Sequence, residues 1–276
     1  MKLATIRYDD GTRAVRVDDN GLIGLGFTDL GELLAQPHWK DLAETATGAA
    51  YSPDDVTLAP LIARPGKILC VGLNYRSHIL EMSRELPEHP TLFAKFAEAL
   101  IGANDDIDLA PESDAVDWEA ELVVVIGGSV RRATEQQAVA AIAGFTVMND
   151  VTMRDWQFRT REWLQGKTFE ATTPLGPVLV TPDELPGGVH PALSITATLN
   201  GEVMQKADTS DLVFDPVALV RYASTIVTLR PGDIIATGTP GGVGHARTPA
   251  RYLADGDRLV TEIEGIGRLV NVARAT

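Results

Sequence analysis

The most informative segment of the sequence is Asp117-Trp-Glu-Ala-Glu-Leu-Val-Val-Val-Ile126. Two acidic residues, Glu119 and Glu121, lead directly into an apolar run, which indicates the start of a buried β-strand. Side chains alternate between the two faces of a strand, so both carboxylates would project from one side, with Cα atoms about 6.5 to 7 Å apart. Like charges that share a buried space cost stability unless a cation compensates them. The segment is therefore either a surface strand that faces water or part of a metal site.

A second apolar run ends in a third carboxylate. Gly144-Phe-Thr-Val-Met-Asn-Asp150 is typical of a strand whose last side chain stands at the rim of a sheet. We expect Asp150 to converge there with Glu119 and Glu121, which favours the metal site. Carboxylates without a cysteine or an evident histidine partner suit Mg²⁺ or Mn²⁺, which leave positions for substrate oxygens. One such ion per subunit is the prediction.

The rest of the chain consists of short apolar runs separated mostly by Gly, Pro and Asp turns. Strands are expected at 67–71, 121–126, 144–148, 178–180, 194–199, 233–236 and 258–263, and helical stretches at 77–84, 135–143 and 215–224. Strands and helices do not alternate regularly, so a doubly wound parallel sheet is not indicated. The predicted class is α+β, mainly β.

The N-terminal segment is predicted to form a small α+β domain of its own. Alternating residues at 3–8 and 12–17 flank an Asp-Gly pair and favour a hairpin. A short helix at 30–34 follows, with Asp29 as its N-cap. The proline-rich text from Tyr51 to Gly66 is typical of a connector. We place the boundary near residue 62, which gives domains at 1–62 and 63–276.

Composition narrows the class of protein. The 276 residues are 45% hydrophobic and carry a net charge of -14, which disfavours nucleic acid or an anionic membrane as the main partner. No stretch has the length or apolarity of a signal peptide or a membrane span, so a cytoplasmic location is expected. Cys70 is the single cysteine and ends an apolar run, which predicts a buried, inert thiol.

Five separated motifs resemble the fumarylacetoacetate hydrolase family, in its acylpyruvate-hydrolase-like branch. The likeness covers roughly residues 64 to 272. The motifs are Cys70-Val-Gly-Leu-Asn-Tyr-Arg-Ser-His78, Asp117-Trp-Glu-Ala-Glu121, Asn149-Asp-Val-Thr-Met-Arg-Asp-Trp-Gln157, Gln165-Gly-Lys167 and Ile235-Ala-Thr-Gly-Thr-Pro240. The resemblance implies that Glu119, Glu121 and Asp150 ligate Mg²⁺ or Mn²⁺. It also implies a mixed β-roll catalytic domain, a small N-terminal domain and a homodimer.

His78 and Glu81 are the first candidates for acid-base chemistry. They lie three residues apart in a stretch that is typical of a short helix, so both would share one face. From the residues alone, a surface His–Glu pair is the alternative. The resemblance implies a dyad on a segment that closes over the substrate, in which the imidazole activates water.

Lys167, Arg154 and Gln157 are the next candidates. Lys167 could neutralise the charge of a developing enolate, or it could be a solvated surface lysine. Arg154 and Gln157 come four and seven residues after Asp150, so on a helix all three could lie along one face. The resemblance implies that Arg154 and Gln157 contact the substrate or shape its pocket.

A glycine-rich loop follows the strand at 233–236 and could bind a carboxylate through exposed amides and hydroxyls. It lacks the Gly-Lys-Ser/Thr ending of a phosphate loop, and Thr248-Pro249 disfavours a helix directly after it. A simple tight turn is the alternative. The resemblance assigns Thr239 to the carboxylate of the substrate.

Together these residues predict a metal-dependent hydrolase that cleaves a carbon–carbon bond. As a hypothesis, His78, oriented by Glu81, activates the water that attacks the distal carbonyl of an acylpyruvate such as fumarylpyruvate, an intermediate of aromatic catabolism. Pyruvate leaves as its enolate, whose charge Lys167 and the cation stabilise, and a carboxylic acid is the second product.

Two alternatives stay open at this point. The same groups could decarboxylate oxaloacetate or another 2-oxo diacid, or isomerise a 2-hydroxy-dienoate, since these reactions share the enolate. The other is a non-catalytic protein that binds a metal and an anion. A small 2-oxo acid is the expected ligand in every case.

Overall fold

The computed structural model describes residues 1–9, 11–81 and 85–275. Strands dominate it, which confirms the α+β, mainly β class. In chain order the strands are β1 Lys2–Tyr8, β2 Gly11–Asp18, β3 Gly21–Gly24, β4 Ala50–Tyr51, β5 Thr57–Leu58, β6 Ile68–Gly72, β7 Thr91–Lys95, β8 Leu100–Ile101, β9 Ile107–Leu109, β10 Val116–Asp117, β11 Ala120–Ile126, β12 Ile142–Asn149, β13 Thr152–Met153, β14 Thr173–Val180, β15 Ser194–Leu199, β16 Glu202–Asp208, β17 Ile234–Ala236, β18 Arg258–Ile263 and β19 Gly267–Ala275.

The helices are short and lie between these strands. They are α1 Leu30–Leu34, α2 Trp39–Thr45, α3 Arg76–Glu81, α4 Glu135–Ala141, α5 Arg154–Gln157, α6 Leu164–Lys167 and α7 Pro216–Ile226. Asp29 caps α1 as expected, because its side chain accepts a hydrogen bond from the Glu32 amide. None of the helices in the described ranges is long and apolar enough to cross a membrane.

A large sheet and a smaller one form the mixed β-roll. The large sheet has the order β4-β3-β2-β1-β14-β12-β11-β17-β6-β7, and the smaller has the order β16-β15-β18-β19-β9. The face of β12 packs on β18 and β19, so side chains of both sheets share the main hydrophobic cluster, including Phe145, Val147 and Leu259. Strand β11 lies at the centre of the large sheet and is buried along its whole length.

The N-terminal segment joins this large sheet. Leu3 of β1 pairs with Leu179 of β14, and Leu3, Leu30 and Leu33 belong to the same buried cluster as Val123 and Val125 of β11. The division into domains at 1–62 and 63–276 stays a prediction.

Most expected elements are present, and the differences concern their ends. The predicted helix at 135–143 ends at Ala141, because Ile142 already pairs with Ile126 across the sheet. The predicted strand at 178–180 is the end of β14, which begins at Thr173. The helix expected at 77–84 is observed as α3, and residues 82–84 of that prediction lie outside the described residues.

Candidate active site

Strand pairing brings the three carboxylates together. Ala120 pairs with Asn149 across β11 and β12, so the residues just beyond this pair, Glu119 and Asp150, face each other. The Asp150 amide donates to the Glu119 carbonyl at 2.8 Å. Oxygen atoms of Glu119, Glu121 and Asp150 all lie within 4.8 Å of one another. The predicted convergence is present, although Glu119 precedes β11 instead of belonging to it.

Three buried cations surround these carboxylates. Lys167 Nζ donates to Glu119 Oε2 and to Asp150 Oδ2, both at 2.7 Å. Lys95 Nζ donates to the other Asp150 oxygen at 2.6 Å. Arg154 contacts Glu119 Oε1 at 2.7 Å through Nη2. We call this cluster the charged floor; its members are Lys95, Asp117, Glu119, Glu121, Asp150, Arg154 and Lys167.

The charges of the floor do not balance. Four buried carboxylates meet three buried cations, so one negative charge is left over. Among the described residues Glu121 forms no ion pair, and its Oε2 accepts from the Gly238 amide at 2.8 Å. Burial raises the pKa of Glu121 well above its ordinary value, and the charges of Asp150 and Glu119 raise it further.

The donor set fits a divalent cation. Burial alone would raise the pKa of Asp150, but Lys167 and Lys95 outweigh it and hold that pKa below its ordinary value. Burial opposes the charged form of Lys167, yet Asp150 and Glu119 raise its pKa. The chain thus keeps these side chains ionised and leaves Glu121 as the carboxylate that needs a further positive charge. The three carboxylates of Glu119, Glu121 and Asp150 could hold a metal ion.

The charged floor opens into a cavity of about 320 Å³. Glu119, Arg154 and Lys167 form its polar end. The cavity is lined by Val71, Gly72, Leu73, His78, Phe93, Glu119, Arg154, Gln157, Phe158, Trp163, Lys167, Thr239, Val243, His245 and Ala246. Five of the predicted catalytic and substrate-binding residues, His78, Arg154, Gln157, Lys167 and Thr239, therefore border one cavity.

His78 and Glu81 both lie on α3, as the sequence predicts. His78 is partly buried and belongs to the cavity wall. The side chain of Glu81 lies outside the described part of the chain, so its pairing with His78 stays a prediction.

An arrangement of Asp150, Arg154 and Gln157 along one face of a helix is not observed, because α5 begins at Arg154. Strand β13 separates Asp150 from α5, so Asp150 is not on the same helix as the other two. Arg154 Nε donates to Asp117 at 2.8 Å, and Arg154 Nη1 donates to Gln157 at 2.9 Å. Since Nη2 contacts Glu119, each guanidinium nitrogen of Arg154 is engaged within the floor. Its position favours holding Glu119 in place over direct substrate contact.

Thr239 lies on the glycine-rich loop after β17. Gln205 of β16 donates to Thr239 Oγ1 at 2.8 Å and to the Pro240 carbonyl at 2.9 Å, and its own oxygen accepts from the Ala120 amide. Because the Thr239 oxygen already accepts a hydrogen bond, the hydroxyl proton is available to an acceptor in the cavity. Gly238 precedes it with φ +102, a conformation that favours glycine.

Sequence reasoning missed three residues of this site. Lys95 ends a strand-like run, and a lone lysine there is a weak signal, because such residues are usually solvated. Asp117 accepts from Arg154 and from the Gly244 and His245 amides. Gln205 belongs to the other sheet, so no spacing along the chain connects it with Thr239.

The comparisons with known proteins agree with this geometry. The family described as Fumarylacetoacetate (FAA) hydrolase C-terminal matches residues 67–274. The chain belongs to this family. It is 46% identical to oxaloacetate tautomerase FAHD2A, mitochondrial, of Bos taurus over 219 residues, which are 79% of this chain and 69% of the relative. The family resemblance drawn from the five motifs is confirmed.

Two solved structures of the family superpose over the whole chain. The fumarylacetoacetate hydrolase of Exiguobacterium antarcticum has a TM-score of 0.87 at 30% identity, with 100% of both chains covered. The 5-carboxymethyl-2-hydroxymuconate delta-isomerase of Mycobacterium smegmatis has a TM-score of 0.83 at 32% identity, also with 100% of both chains covered. One fold thus carries relatives named as a hydrolase, an isomerase and a tautomerase.

Cys70 is buried and lies on β6. Burial raises the pKa of its thiol well above the ordinary value, and Asp150 and Glu121 add to this effect. A thiol that resists ionisation is a poor nucleophile, which agrees with the inert role expected from the sequence.

Proposed function

We propose that this protein is a divalent-metal-dependent enzyme that interconverts the enol and keto forms of a 2-oxo acid of the oxaloacetate type. The observation that carries the proposal is the carboxylate triad behind a cavity that also contains Lys167, Thr239 and His78. The similarity to a relative named oxaloacetate tautomerase supports this reaction over others of the family.

Residues of the chain can bind the acid and orient it. The Thr239 hydroxyl proton is directed away from Gln205 and suits a substrate carboxylate. Lys167 stays protonated and lies at the polar end of the cavity, where it stabilises negative charge on the enolate oxygen. A divalent cation held by Glu119, Glu121 and Asp150 would supply Lewis-acid polarisation of the 2-oxo group.

His78 is the residue proposed to move the proton. Conversion of an enol to its keto form takes a proton from the enol oxygen and delivers one to the neighbouring carbon. An imidazole exchanges protons near neutral pH, and His78 lies in the cavity wall. The aromatic side chains of Phe93 and Trp163 border the same space.

The direct test follows the decay of oxaloacetate enol by its absorbance. We expect the wild-type protein to accelerate this decay with Mg²⁺ or Mn²⁺ and to lose the activity in EDTA. Glu119→Gln should be inactive, whereas Glu262→Gln, an exposed glutamate on β18, serves as the matched control and should behave as wild type. An undiminished rate in EDTA would overturn the proposal.

Hydrolysis of an acylpyruvate, such as fumarylpyruvate, is the second candidate. The position of His78 in the cavity wall favours it, since hydrolysis needs an activated water there. We expect His78→Ala to abolish any hydrolysis and to slow tautomerisation about 100-fold or more. Decarboxylation of oxaloacetate, which needs no activated water, should be largely intact in the same variant. Loss of neither hydrolysis nor tautomerisation would refute the role of His78.

A panel of acylpyruvates and oxaloacetate, each with Mg²⁺, Mn²⁺ and EDTA, separates these reactions. Binding of oxalate without turnover of any compound would favour the non-catalytic alternative. We also propose, from the family resemblance alone, that the protein is a homodimer and acts in aromatic catabolism. The cytoplasmic location and the absence of nucleic acid and membrane partners stay predictions from composition.

A further inference from the structure

The cavity wall carries an exposed histidine that the proposed reaction does not use. His245 borders the same cavity as Lys167 and Thr239, but it lies on the turn Gly244–Ala246 and is exposed. It therefore faces any ligand that extends from the floor toward solvent.

The backbone of His245 is tied to the floor. Its amide donates to Asp117 Oδ2 at 3.0 Å, and the Gly244 amide donates to Asp117 Oδ1 at 2.6 Å. Asp117 also accepts from Arg154, which contacts Glu119. One buried carboxylate thus sets the distance between the His245 backbone and the triad.

The ring of His245 is oriented by Tyr252. His245 Nδ1 lies 2.8 Å from the Tyr252 hydroxyl. A phenol is a stronger hydrogen-bond donor than a neutral imidazole, so we assign the donor role to the Tyr252 hydroxyl, and this assignment places the ring proton on Nε2. Tyr252 does not border the cavity, whereas His245 does. The N–H group of Nε2 is thereby left for a ligand.

Part of the cavity wall that His245 shares is apolar and aromatic. Phe93 and Trp163 form an edge-to-face pair with ring centroids 5.5 Å apart, and Phe158 lies 5.3 Å from the His245 ring. Val243 completes this part of the lining. His78, Gln157 and Thr239 are the other polar side chains that border this cavity outside the charged floor.

We propose that His245, oriented by Tyr252, recognises a carboxylate at the far end of the substrate, so that 2-oxo dicarboxylic acids are the preferred class. The inference rests on the proposed function, because the 2-oxo end must occupy the charged floor. An imidazole N–H that is already aligned donates to a carboxylate with little loss of side-chain entropy.

The test compares two acids of equal length in the Mg²⁺-loaded protein. Binding of 2-oxoadipate, which has a distal carboxylate, and of 2-oxohexanoate, which has a methyl group there, is measured by calorimetry. We expect wild type to bind 2-oxoadipate more tightly. His245→Ala should weaken the binding of 2-oxoadipate about 10-fold, which is typical of one lost hydrogen bond to a charged group. Its affinity for 2-oxohexanoate and for oxalate should change less than about 2-fold.

Two further variants control for indirect effects. Tyr252→Phe keeps the ring and removes the orienting hydroxyl, so it should reproduce part of the loss for 2-oxoadipate alone. His89→Ala removes another exposed histidine, which stacks on Tyr222 and does not border this cavity. It should bind both acids as wild type does.

The outcomes separate this inference from the proposed function. Equal affinity of wild type for the two acids, or an equal loss of both in His245→Ala, would overturn the role of His245 even if oxaloacetate is turned over. A wild type that prefers 2-oxoadipate but converts no enol would support the distal site and contradict the tautomerase proposal.

Discussion

The charged floor and the aromatic side of the cavity are stabilised by different interactions. The charged floor is fully buried and consists of ion pairs between side chains of the central strands and their neighbours. We call the aromatic side of the cavity, which leads from Lys167 to the exposed His245, the far wall; its members are Phe93, Phe158, Trp163 and His245. These side chains are exposed or half-buried and meet through ring contacts. A substitution in the floor therefore disturbs charge and metal binding, whereas one in the far wall alters only the fit of the ligand.

Lys167→Met should produce the largest effect. Loss of this cation removes the group that stabilises the enolate, so we expect kcat to fall about 100- to 1000-fold. It also leaves Glu119 and Asp150 with less compensation, and breaking a buried pair costs about 3 to 5 kcal/mol. Thermal unfolding of the metal-free variant should shift to lower temperature, and saturating Mg²⁺ should restore part of the loss.

Lys206→Met is the matched control for this prediction. Lys206 is an exposed lysine on β16, so its replacement should change neither kcat nor the unfolding temperature. If Lys167→Met kept the wild-type kcat, a substitution in the floor would not affect catalysis. The floor and the far wall could then not be distinguished by their effect on kcat.

Glu121→Gln should separate metal binding from stability. Its raised pKa means that folding favours the protonated form of this carboxyl, so a neutral amide costs less stability here than at Asp150, whose pKa is lowered. Mg²⁺ affinity should fall by two orders of magnitude or more, since one charged ligand is lost. Isothermal calorimetry measures this affinity, and Glu262→Gln is again the control.

The sign of the pH dependence follows from the same pKa. A carboxyl whose pKa is raised on folding contributes stability below its unfolded pKa, near 4.5, and this contribution is lost as pH rises through the folded value. The unfolding temperature of metal-free wild type should therefore fall relative to that of Glu121→Gln as pH rises above about 4.5. If the unfolding temperature of metal-free wild type instead rose relative to that of Glu121→Gln as pH increases, the raised pKa of Glu121 would be contradicted.

Gln205→Leu should have an intermediate effect on substrate binding. Gln205 contacts both Ala120, next to Glu119 of the floor, and Thr239 of the glycine-rich loop. Without the amide, Thr239 can donate its hydroxyl proton elsewhere, and KM for oxaloacetate should rise about 10-fold with a smaller change in kcat. If Gln205 acts through Thr239, the double variant with Thr239→Val should be no worse than the poorer single variant. Additive losses would show an effect of Gln205 that is independent of Thr239.

Gly72→Ala should have the smallest effect and should be confined to the far wall. A Cβ atom at residue 72 would lie within 2.4 Å of the Trp163 ring, so the indole must shift. We expect a change in KM of about 3-fold for long 2-oxo acids and an unchanged affinity for oxalate and Mg²⁺. A large loss of Mg²⁺ affinity would show that the two ends are not independent.

The sequence carries strong information about the floor and little about the far wall. Glu119, Glu121 and Asp150 could be brought together from the sequence because each lies next to an apolar run, and strand geometry places neighbours predictably. Asp150 and Arg154 do not share a helix, because pairing of β13 with β10 extends the backbone between them. Local propensity yields to such tertiary pairing.

The family, the mainly β class and the three carboxylates of the floor can be predicted from the sequence, because hydrophobic runs and acidic residues at their ends are local features. The groups that complete the site come together only when the strands pack. Lys95 and Gln205 reach Asp150 and Thr239 across 55 and 34 residues of chain. The Asp117 carboxylate of β10 holds the His245 backbone beside the cavity across 128 residues of chain. Contacts of this kind depend on how separate strands pack, and no spacing along the chain encodes them.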